Sequence, residues 1–395
     1  YGGGGSGFGG AIFVRNGGSL TISGDSLFSN NYAFAGSSNN YGTAGQSAGS
    51  DIFKMKGSNV LLSPGVGSTI RIEGTIADDS RASFSTASYA AGDGATLRIG
   101  GGGLVQLLGV NTYSGTTQIE GATLEADIGK GINEYSHLLF KGAGVLNTST
   151  TDSSITPLVN AGVLMTSGTI TRRVDIWPNA ISWAGAGGFA ASSTDGLTLN
   201  FGALSSSVGQ TLLWNSSAIT NNSVMTFGSS YALGGVTMLN DINISGSTAN
   251  VAVFDSTLTD SDYARLSGKL TNGNLQVGDA GYNGLLYLTG DSELTKLTVN
   301  SGTVSTLFGT RPNQVIGNLS SASVATNIDV NGGVVILAAD EHLGTISVSS
   351  GSGFQTLGNI NFSALNNSGT SIANQITTTN AIVNSGSMQI NGVSS

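Results

Sequence analysis

The chain has 395 residues, of which 61 are glycine, none is cysteine and only 9% are charged. The 39% of hydrophobic residues exclude a disordered chain, whereas a typical globular domain would have about 25% charged residues. The net charge of −9 disfavours nucleic acid and anionic membranes as partners, and the lack of cysteine excludes disulfides and thiol chemistry.

Residues 1–62 are rich in glycine and predict the first coils of a repetitive β structure. Alternation of apolar and polar residues at 11–15 and 19–23 predicts two short strands. Asn30 suits a corner, where a side-chain amide can bond the same position one coil away. Residues 34–50 lack apolar periodicity and predict a protruding loop.

Residues 63–126 contain the clearest repeat of the chain. Three short runs predict strands at Leu104–Leu108, Thr117–Ile119 and Thr123–Ala126. Asn111–Gly115 lacks the Asn-Gly or Asp-Gly pair of a tight hairpin and indicates another kind of corner. Three such strands predict one coil of a β-solenoid, which buries its inward residues only when other coils stack on it.

The rest of the chain repeats this pattern less regularly. Residues 127–236 contain all three tryptophans, Trp177, Trp183 and Trp214, which predict either core packing or an aromatic binding patch. Residues 237–305 form a weaker copy of 63–126, and 306–395 continue as strands and corners with coils of about 20 residues.

A short motif recurs along the chain, in which an apolar residue precedes Asn or Glu, a small residue and glycine. Asn and Gly tolerate positive φ at a corner, while the valine before them is expected to point inward; examples are Val299, Val330 and Val383. The predicted structural corners are Asn16, Asn30, Asn111, Gly115, Asn160, Asn300, Asn331 and Asn384.

These patterns predict an all-β fold, a single-stranded, right-handed parallel β-helix in the form of one elongated rod. The chain has no run of 18 apolar residues, so no transmembrane helix is predicted.

The stretch 102–124 resembles the repeat of bacterial autotransporter passenger domains. Its pattern, G-x-L-x-L-x-G-x-N-T-Y-S-G-x-T-x-I-x-x-G-x-L, matches this stretch apart from Val105 and Leu108. Gly9–Ile12 and Phe28–Asn31 resemble the G-G-A-I and F-x-x-N repeats of polymorphic outer-membrane proteins. The resemblance implies display on, or release from, a Gram-negative cell surface. Any attachment to the membrane would then run through a C-terminal β-barrel absent from this sequence.

Two serine motifs match patterns of nucleophilic serines, but neither has the sequence context that such a nucleophile requires. Gly24–Leu27 matches the G-D-S-L motif of a lipase and esterase family, but Asp340-Glu341-His342 is one residue shorter than the D-x-x-H that this family requires. Gly45–Gly49 satisfies G-x-S-x-G, yet it lacks the strand before and the helix after that a nucleophile elbow needs. No catalytic residue is predicted.

No metal or cofactor site is predicted either, because His137 and His342 are 205 positions apart in a solenoid. The acidic group Asp255, Asp260 and Asp262 is the best candidate for carboxylate chemistry on sugars. Surface turns or a weak Ca²⁺ site are the simpler interpretations of this group.

The sequence therefore supports two hypotheses of different classes. The first is a non-catalytic bacterial passenger that acts as an adhesin, self-association module or fibre subunit. Its partners would be surface glycans or proteins, or copies of itself stacked head to tail. The alternative is a carbohydrate-active β-helix enzyme, a glycoside hydrolase or lyase that uses surface carboxylates.

Overall fold

The computed structural model describes residues 2–39, 41–143, 161–203, 209–309, 316, 325–378, 380 and 382–393. They form two compact units: unit 1 comprises 2–143, 161–166 and 174–187, and unit 2 comprises 167–173 and the described residues from 188 onward. Every regular element in these ranges is a β-strand. None of the described residues belongs to a helix that is long and apolar enough to cross a membrane.

Most strands are only two to five residues long up to residue 183 and reach nine residues near the end of the chain. The earlier strands are β1 (Gly7–Phe8), β2 (Ile12–Val14), β3 (Ser19–Ser23), β4 (Ser26–Phe28), β5 (Ser47–Ala48), β6 (Ile52–Lys54), β7 (Asn59–Ser63), β8 (Thr69–Ile72), β9 (Ile76–Asp78), β10 (Leu97–Ile99), β11 (Leu104–Leu107), β12 (Thr117–Ile119), β13 (Thr123–Glu125), β14 (Leu138–Phe140), β15 (Gly162–Thr166), β16 (Gly168–Ile170) and β17 (Ile181–Trp183). The later strands are β18 (Ala186–Ala191), β19 (Leu197–Leu199), β20 (Leu212–Leu213), β21 (Val224–Phe227), β22 (Val236–Met238), β23 (Ile242–Asn243), β24 (Thr248–Val253), β25 (Ala264–Leu266), β26 (Leu270–Val277), β27 (Leu285–Leu288), β28 (Glu293–Val299), β29 (Thr303–Ser305), β30 (Thr326–Val330), β31 (Val334–Leu337), β32 (Glu341–Val348), β33 (Gly353–Thr356), β34 (Asn359–Asn367), β35 (Thr370–Thr378), β36 (Ile382–Asn384) and β37 (Ser387–Val393).

Unit 1 is a stack of coils with three sheet faces. Face A contains β2, β6 and β9, face B contains β3, β7, β10, β12, β14 and β17, and face C contains β4, β8, β11, β13 and β15. Each strand pairs in parallel with the corresponding strand of the next coil, which is the β-solenoid that the repeats predict. Strands β11, β12 and β13 lie where the alternating runs of 102–126 predict them.

The core of unit 1 consists of aligned columns of inward side chains. On face B, the register places one residue from each of five coils in a single column: Leu62, Ile99, Ile119, Phe140 and Trp183. Each is at most 1% exposed. Complete burial of such a side chain contributes about 1.5–3 kcal/mol, so the coils are stable only when stacked.

Unit 2 is built in the same way from ten strands on its first face. Face D contains β16, β19, β22, β25, β27, β29, β31, β33, β35 and β37, and face E contains β21, β24, β26, β28, β30, β32, β34 and β36. The long strands of this unit pair with different neighbours along their length. In β34, Asn359 to Phe362 pair with β35, whereas Leu365 to Asn367 pair with β36.

A column of valines fills the interior behind face E, and it includes Val299 and Val330 of the short corner motif. Its members, Val251, Val277, Val299, Val330 and Val348, are aligned by the pairing register and at most 2% exposed.

The inward orientation predicted for the motif valine is wrong at Val383, which is 59% exposed. Here Asn367 and Asn384 occupy the column that valines fill in earlier coils, and this shift by one residue turns Val383 outward.

Coil length varies because some corners carry insertions. Thr303 pairs with Val334, 31 positions later, whereas Gly353 pairs with Thr370, 17 positions later. The predicted loop 34–50 belongs to the insertion between β4 and β6, although Ser47 and Ala48 form β5, which pairs with β1.

Candidate binding groove

The loop between β24 and β25 carries the acidic group that the sequence singles out. The Asp262 carboxylate accepts a hydrogen bond from the Ser256 backbone N–H at 2.7 Å, which closes the loop on itself. The Ser256 hydroxyl donates to the carbonyl oxygen of Ala232 at 3.0 Å, which ties the loop to the preceding coil. These bonds hold the carboxyl groups of Asp255, Asp260 and Asp262 beside face D.

The three carboxyl groups line one end of a groove of about 470 Å³ that crosses four successive coils. Beyond them, the walls come from β27, β29 and β31 and the adjoining turns; these residues are Asn283, Gly284, Leu285, Tyr287, Thr303, Ser305, Leu307 and Ile336. Because stacked strands lie about 4.8 Å apart, the groove extends for about 14 Å along the stack.

An aromatic cluster borders the groove where Tyr287 projects outward from β27. The ring of Tyr287 makes edge contacts with Tyr263, at 5.5 Å between centroids, and with Phe308, at 4.8 Å. The Arg265 guanidinium lies 4.3 Å from the centre of the Phe308 ring, and its Nε donates to the Thr289 hydroxyl at 2.9 Å. These contacts fix the Tyr287 ring and hold Arg265 in place.

Two groups in the groove, the Asp262 carboxyl and the Tyr287 hydroxyl, have raised pKa values. Burial raises the pKa of the Asp262 carboxyl; hydrogen bonds from backbone N–H groups oppose this, and the charges of Asp255 and Asp260 add to it. Burial also raises the pKa of the Tyr287 hydroxyl, with a smaller contribution from Tyr263.

Among the described residues, no three His, Asp or Glu side chains are grouped so that they could hold a metal ion. His137 belongs to unit 1, where its ring nitrogens lie 2.8 Å from the Trp177 carbonyl oxygen and 2.8 Å from the Ser182 hydroxyl. His342 lies in β32 of unit 2.

Among the predicted corners, Asn111 makes the most extensive contacts between coils. Its Oδ1 accepts from the Ile76 backbone N–H at 2.6 Å, and its Nδ2 donates to the Gly131 carbonyl oxygen at 2.7 Å. The side chain thus bonds the coil before and the coil after its own, and the residue is 2% exposed. Asn30 follows β4 with a positive φ of 56°, a conformation suited to a corner.

Four of the other predicted asparagines, Asn16, Asn300, Asn331 and Asn384, occupy turns or strand ends. Asn331 Nδ2 donates to Asn300 Oδ1 at 3.1 Å, and Asn367 Nδ2 donates to Asn384 Oδ1 at 2.7 Å, so both pairs stack between coils. Asn16 lies exposed in the turn between β2 and β3. Asn160 lies outside the described residues.

Gly115 lies where two coils approach closely, and its replacement by alanine is expected to destabilise unit 1 by about 1–3 kcal/mol. An added Cβ would collide with the backbone carbonyl of Ala95, which cannot move without disturbing the adjoining strand. Thermal unfolding of the variant measures the effect. Gly65→Ala is the matched control, since nothing lies within 4 Å of its added Cβ. Equal melting temperatures for the two variants would contradict the prediction.

The two serine motifs lie in strands. Ser26 is the first residue of β4, and Ser47 is the first residue of β5. Within the described part of the chain neither serine precedes a helix, so the turn geometry that activates a nucleophile elbow is missing from both. Glu341, from the acidic motif near the end, accepts hydrogen bonds from the Ile316 backbone N–H at 3.2 and 3.3 Å.

The tryptophans do not share one environment. Trp183 and Trp214 are buried in the cores of unit 1 and unit 2, whereas Trp177 is 64% exposed. The core interpretation is therefore correct for the first two residues. It does not apply to Trp177.

Unit 1 contains a buried polar network that the sequence patterns do not predict. Lys54 is fully buried; its Nζ donates to the Ala95 carbonyl oxygen and lies 4.6 Å from the centre of the Tyr113 ring. In the next coil the paired residue, Asp78, accepts hydrogen bonds from the Ser114 backbone N–H at 2.7 Å and from the Ser80 hydroxyl at 2.5 Å. The strand pattern gives no sign of this network.

A second groove, of about 420 Å³, lies outside face A of unit 1 and was also missed. Phe53 forms its floor, stacked against Phe13 at 5.5 Å and against Phe8 at 4.8 Å, while Phe84 and Tyr89 line it from the insertion after β9. This groove is mainly aromatic and apolar, in contrast to the acidic groove of unit 2.

The chain was compared with protein-family models, curated proteins and solved structures, and none of the three comparisons found a match.

Proposed function

We propose that this chain is a non-catalytic binding module, an adhesin-type passenger displayed on or secreted from a Gram-negative bacterium, which attaches to glycans. The resemblance of residues 102–124 to autotransporter passengers supports the bacterial surface as its location. The groove on face D supports attachment as its role.

The observation that carries the proposal is the composition of this groove. Tyr287 supplies an aromatic ring beside two polar side chains, Asn283 and Thr303, that can bond sugar hydroxyls. Aromatic rings offer an apolar surface with a polar tip, which suits a ligand with both C–H faces and hydroxyl groups.

The scaffold favours recognition by a preformed surface. Residues Arg265, Tyr287, Ser305 and Ile336 lie at paired positions of four successive strands, so the parallel ladder sets their spacing. A ligand that binds along this ladder needs little reorganisation of the protein, which lowers the entropic cost of binding.

Replacing Tyr287 by alanine is expected to weaken glycan binding at least tenfold, because the ring forms part of the groove and stabilises Phe308 and Tyr263 around it. Binding of the purified protein to a glycan array and to cells measures this. Tyr135→Ala, at an exposed tyrosine of unit 1, is the matched control and should bind normally.

Unchanged binding by Tyr287→Ala would exclude the groove as the attachment site. Attachment through copies of the chain itself, the other form of the passenger hypothesis, would instead show as a mass that rises with concentration in sedimentation.

One observation favours the carbohydrate-active enzyme as a second candidate. Asp262, whose pKa is raised by burial, lies in a groove with Asp255 and Asp260, and glycoside hydrolases pair an acid of raised pKa with a second carboxylate. The test is glycan turnover by the purified protein. If turnover were observed, and if Asp262→Asn abolished it but retained attachment, the function would be that of an enzyme and not of a binding module.

A further inference from the structure

Resting on the proposed glycan attachment, we propose that the groove selects a polysaccharide of amino sugars whose amines are free, and that Asp255, Asp260 and Asp262 bind the ammonium groups. The inference follows from the charge of the groove, from its aromatic border and from the pairing of the strands beneath it.

Among the residues that the structure describes, the lining of the groove contains three carboxyl groups and no basic side chain. Within the described part of the chain, none of the three forms an ion pair with Lys or Arg. The described cations of neighbouring strands have other partners. Arg265 packs on Phe308, and Lys269 pairs with Glu293 at 2.8 Å. Lys296 pairs with Asp329. Among the described residues these carboxylates therefore have no ion-pair partner, and a cationic ligand would supply one.

The carboxylates are concentrated at one end of the groove, next to the aromatic cluster. A ligand that satisfies both features needs an ammonium group and an adjoining apolar face. The ring of an amino sugar has both, with hydroxyl groups that Asn283 and Thr303 can bond.

A basic peptide is the other cationic ligand, and the backbone of the groove argues against it. Strand β27 pairs with β25 on one side and β29 on the other, and β29 in turn pairs with β31. These strands offer no free edge, so an extended peptide cannot add to the sheet by main-chain hydrogen bonds. Recognition here must use outward side chains, as binding of a sugar does.

The test is isothermal titration of the whole chain with two matched probes at about pH 6: a glucosamine hexamer with free amines, and the same hexamer fully N-acetylated. We expect the free-amine hexamer to bind at least tenfold more tightly, with an affinity that falls as salt is added. Asp255→Asn and Asp262→Asn should each weaken its binding about tenfold. Asn can still accept the hydrogen bond from Ser256, so the loop should keep its conformation.

Asp195→Asn is the control, because Asp195 is an exposed aspartate of the same unit outside the groove lining, and its binding should match the wild type. Equal affinity for the two hexamers would overturn the amino-sugar inference but leave the glycan-binding function standing. If oligolysine bound more tightly than the free-amine hexamer, the preferred ligand would be a basic peptide and the amino-sugar inference would be wrong. Failure of every glycan on an array to bind would overturn the proposed function together with the inference.

Discussion

Leucine in place of Asn111 is expected to lower the free energy of unfolding by about 3 kcal/mol. The change leaves the Ile76 backbone N–H and the Gly131 carbonyl oxygen without the Asn111 partner in a buried environment. Each unsatisfied buried group costs about 1–3 kcal/mol. The effect should exceed that of an ordinary surface substitution, because this side chain bonds both the coil before and the coil after its own.

Urea denaturation followed by circular dichroism measures this loss. Asn16→Leu, at an exposed turn asparagine, should change stability by less than about 0.5 kcal/mol. Equal losses at the exposed and the buried asparagine would show that contacts between coils do not set the effect.

The second large effect is a dependence of stability on alkaline pH that comes from Lys54. Burial lowers the pKa of this amine from 10.5 to about 8 in the folded protein, although the charges of Asp78 and Asp79 act in the opposite direction. Between about pH 8 and pH 10.5 the unfolded state therefore binds more protons than the folded state. The free energy of unfolding should rise across this window, by about 3 kcal/mol in total.

Denaturation at a series of pH values tests this, with the variant Lys54→Met as the comparison, because other lysines and tyrosines also titrate at alkaline pH. The free energy of unfolding of the wild type, minus that of Lys54→Met, should rise from pH 8 to pH 10.5. Lys130→Met, at an exposed lysine of the same unit, should follow the wild-type curve. Parallel curves for wild type and Lys54→Met would show that the buried amine keeps an ordinary pKa.

The strands were largely predictable, and the reason is local. Strand β11 shows an apolar run and β12 an alternation that suits a sheet with one face buried, and the intervening Asn and Gly mark corners. The stacking of coils follows, because strands of three or four residues cannot bury a core alone.

The grooves were less predictable, because they depend on which outward residues of different coils become neighbours. Tyr287 faces Arg265 and Ser305 only through the pairing register, and insertions change the coil length from place to place. The carboxylates were identified from their spacing, but the aromatic border was not. Lys54 illustrates a different difficulty. Alternation places it on the same side as Ile52, while the cost of burying a charge favours the opposite orientation.

The pairing of each coil with its immediate neighbour has a consequence for the kinetics of folding. Gly353 meets Thr370 after only 17 positions, in a chain of 395 residues. The entropy lost in closing such a loop depends on the length of the loop and not on that of the chain. Most β proteins fold slowly because their partner strands are distant in sequence. Within unit 2, a completed coil can act as the template on which the next one forms, so that further coils need not slow the process.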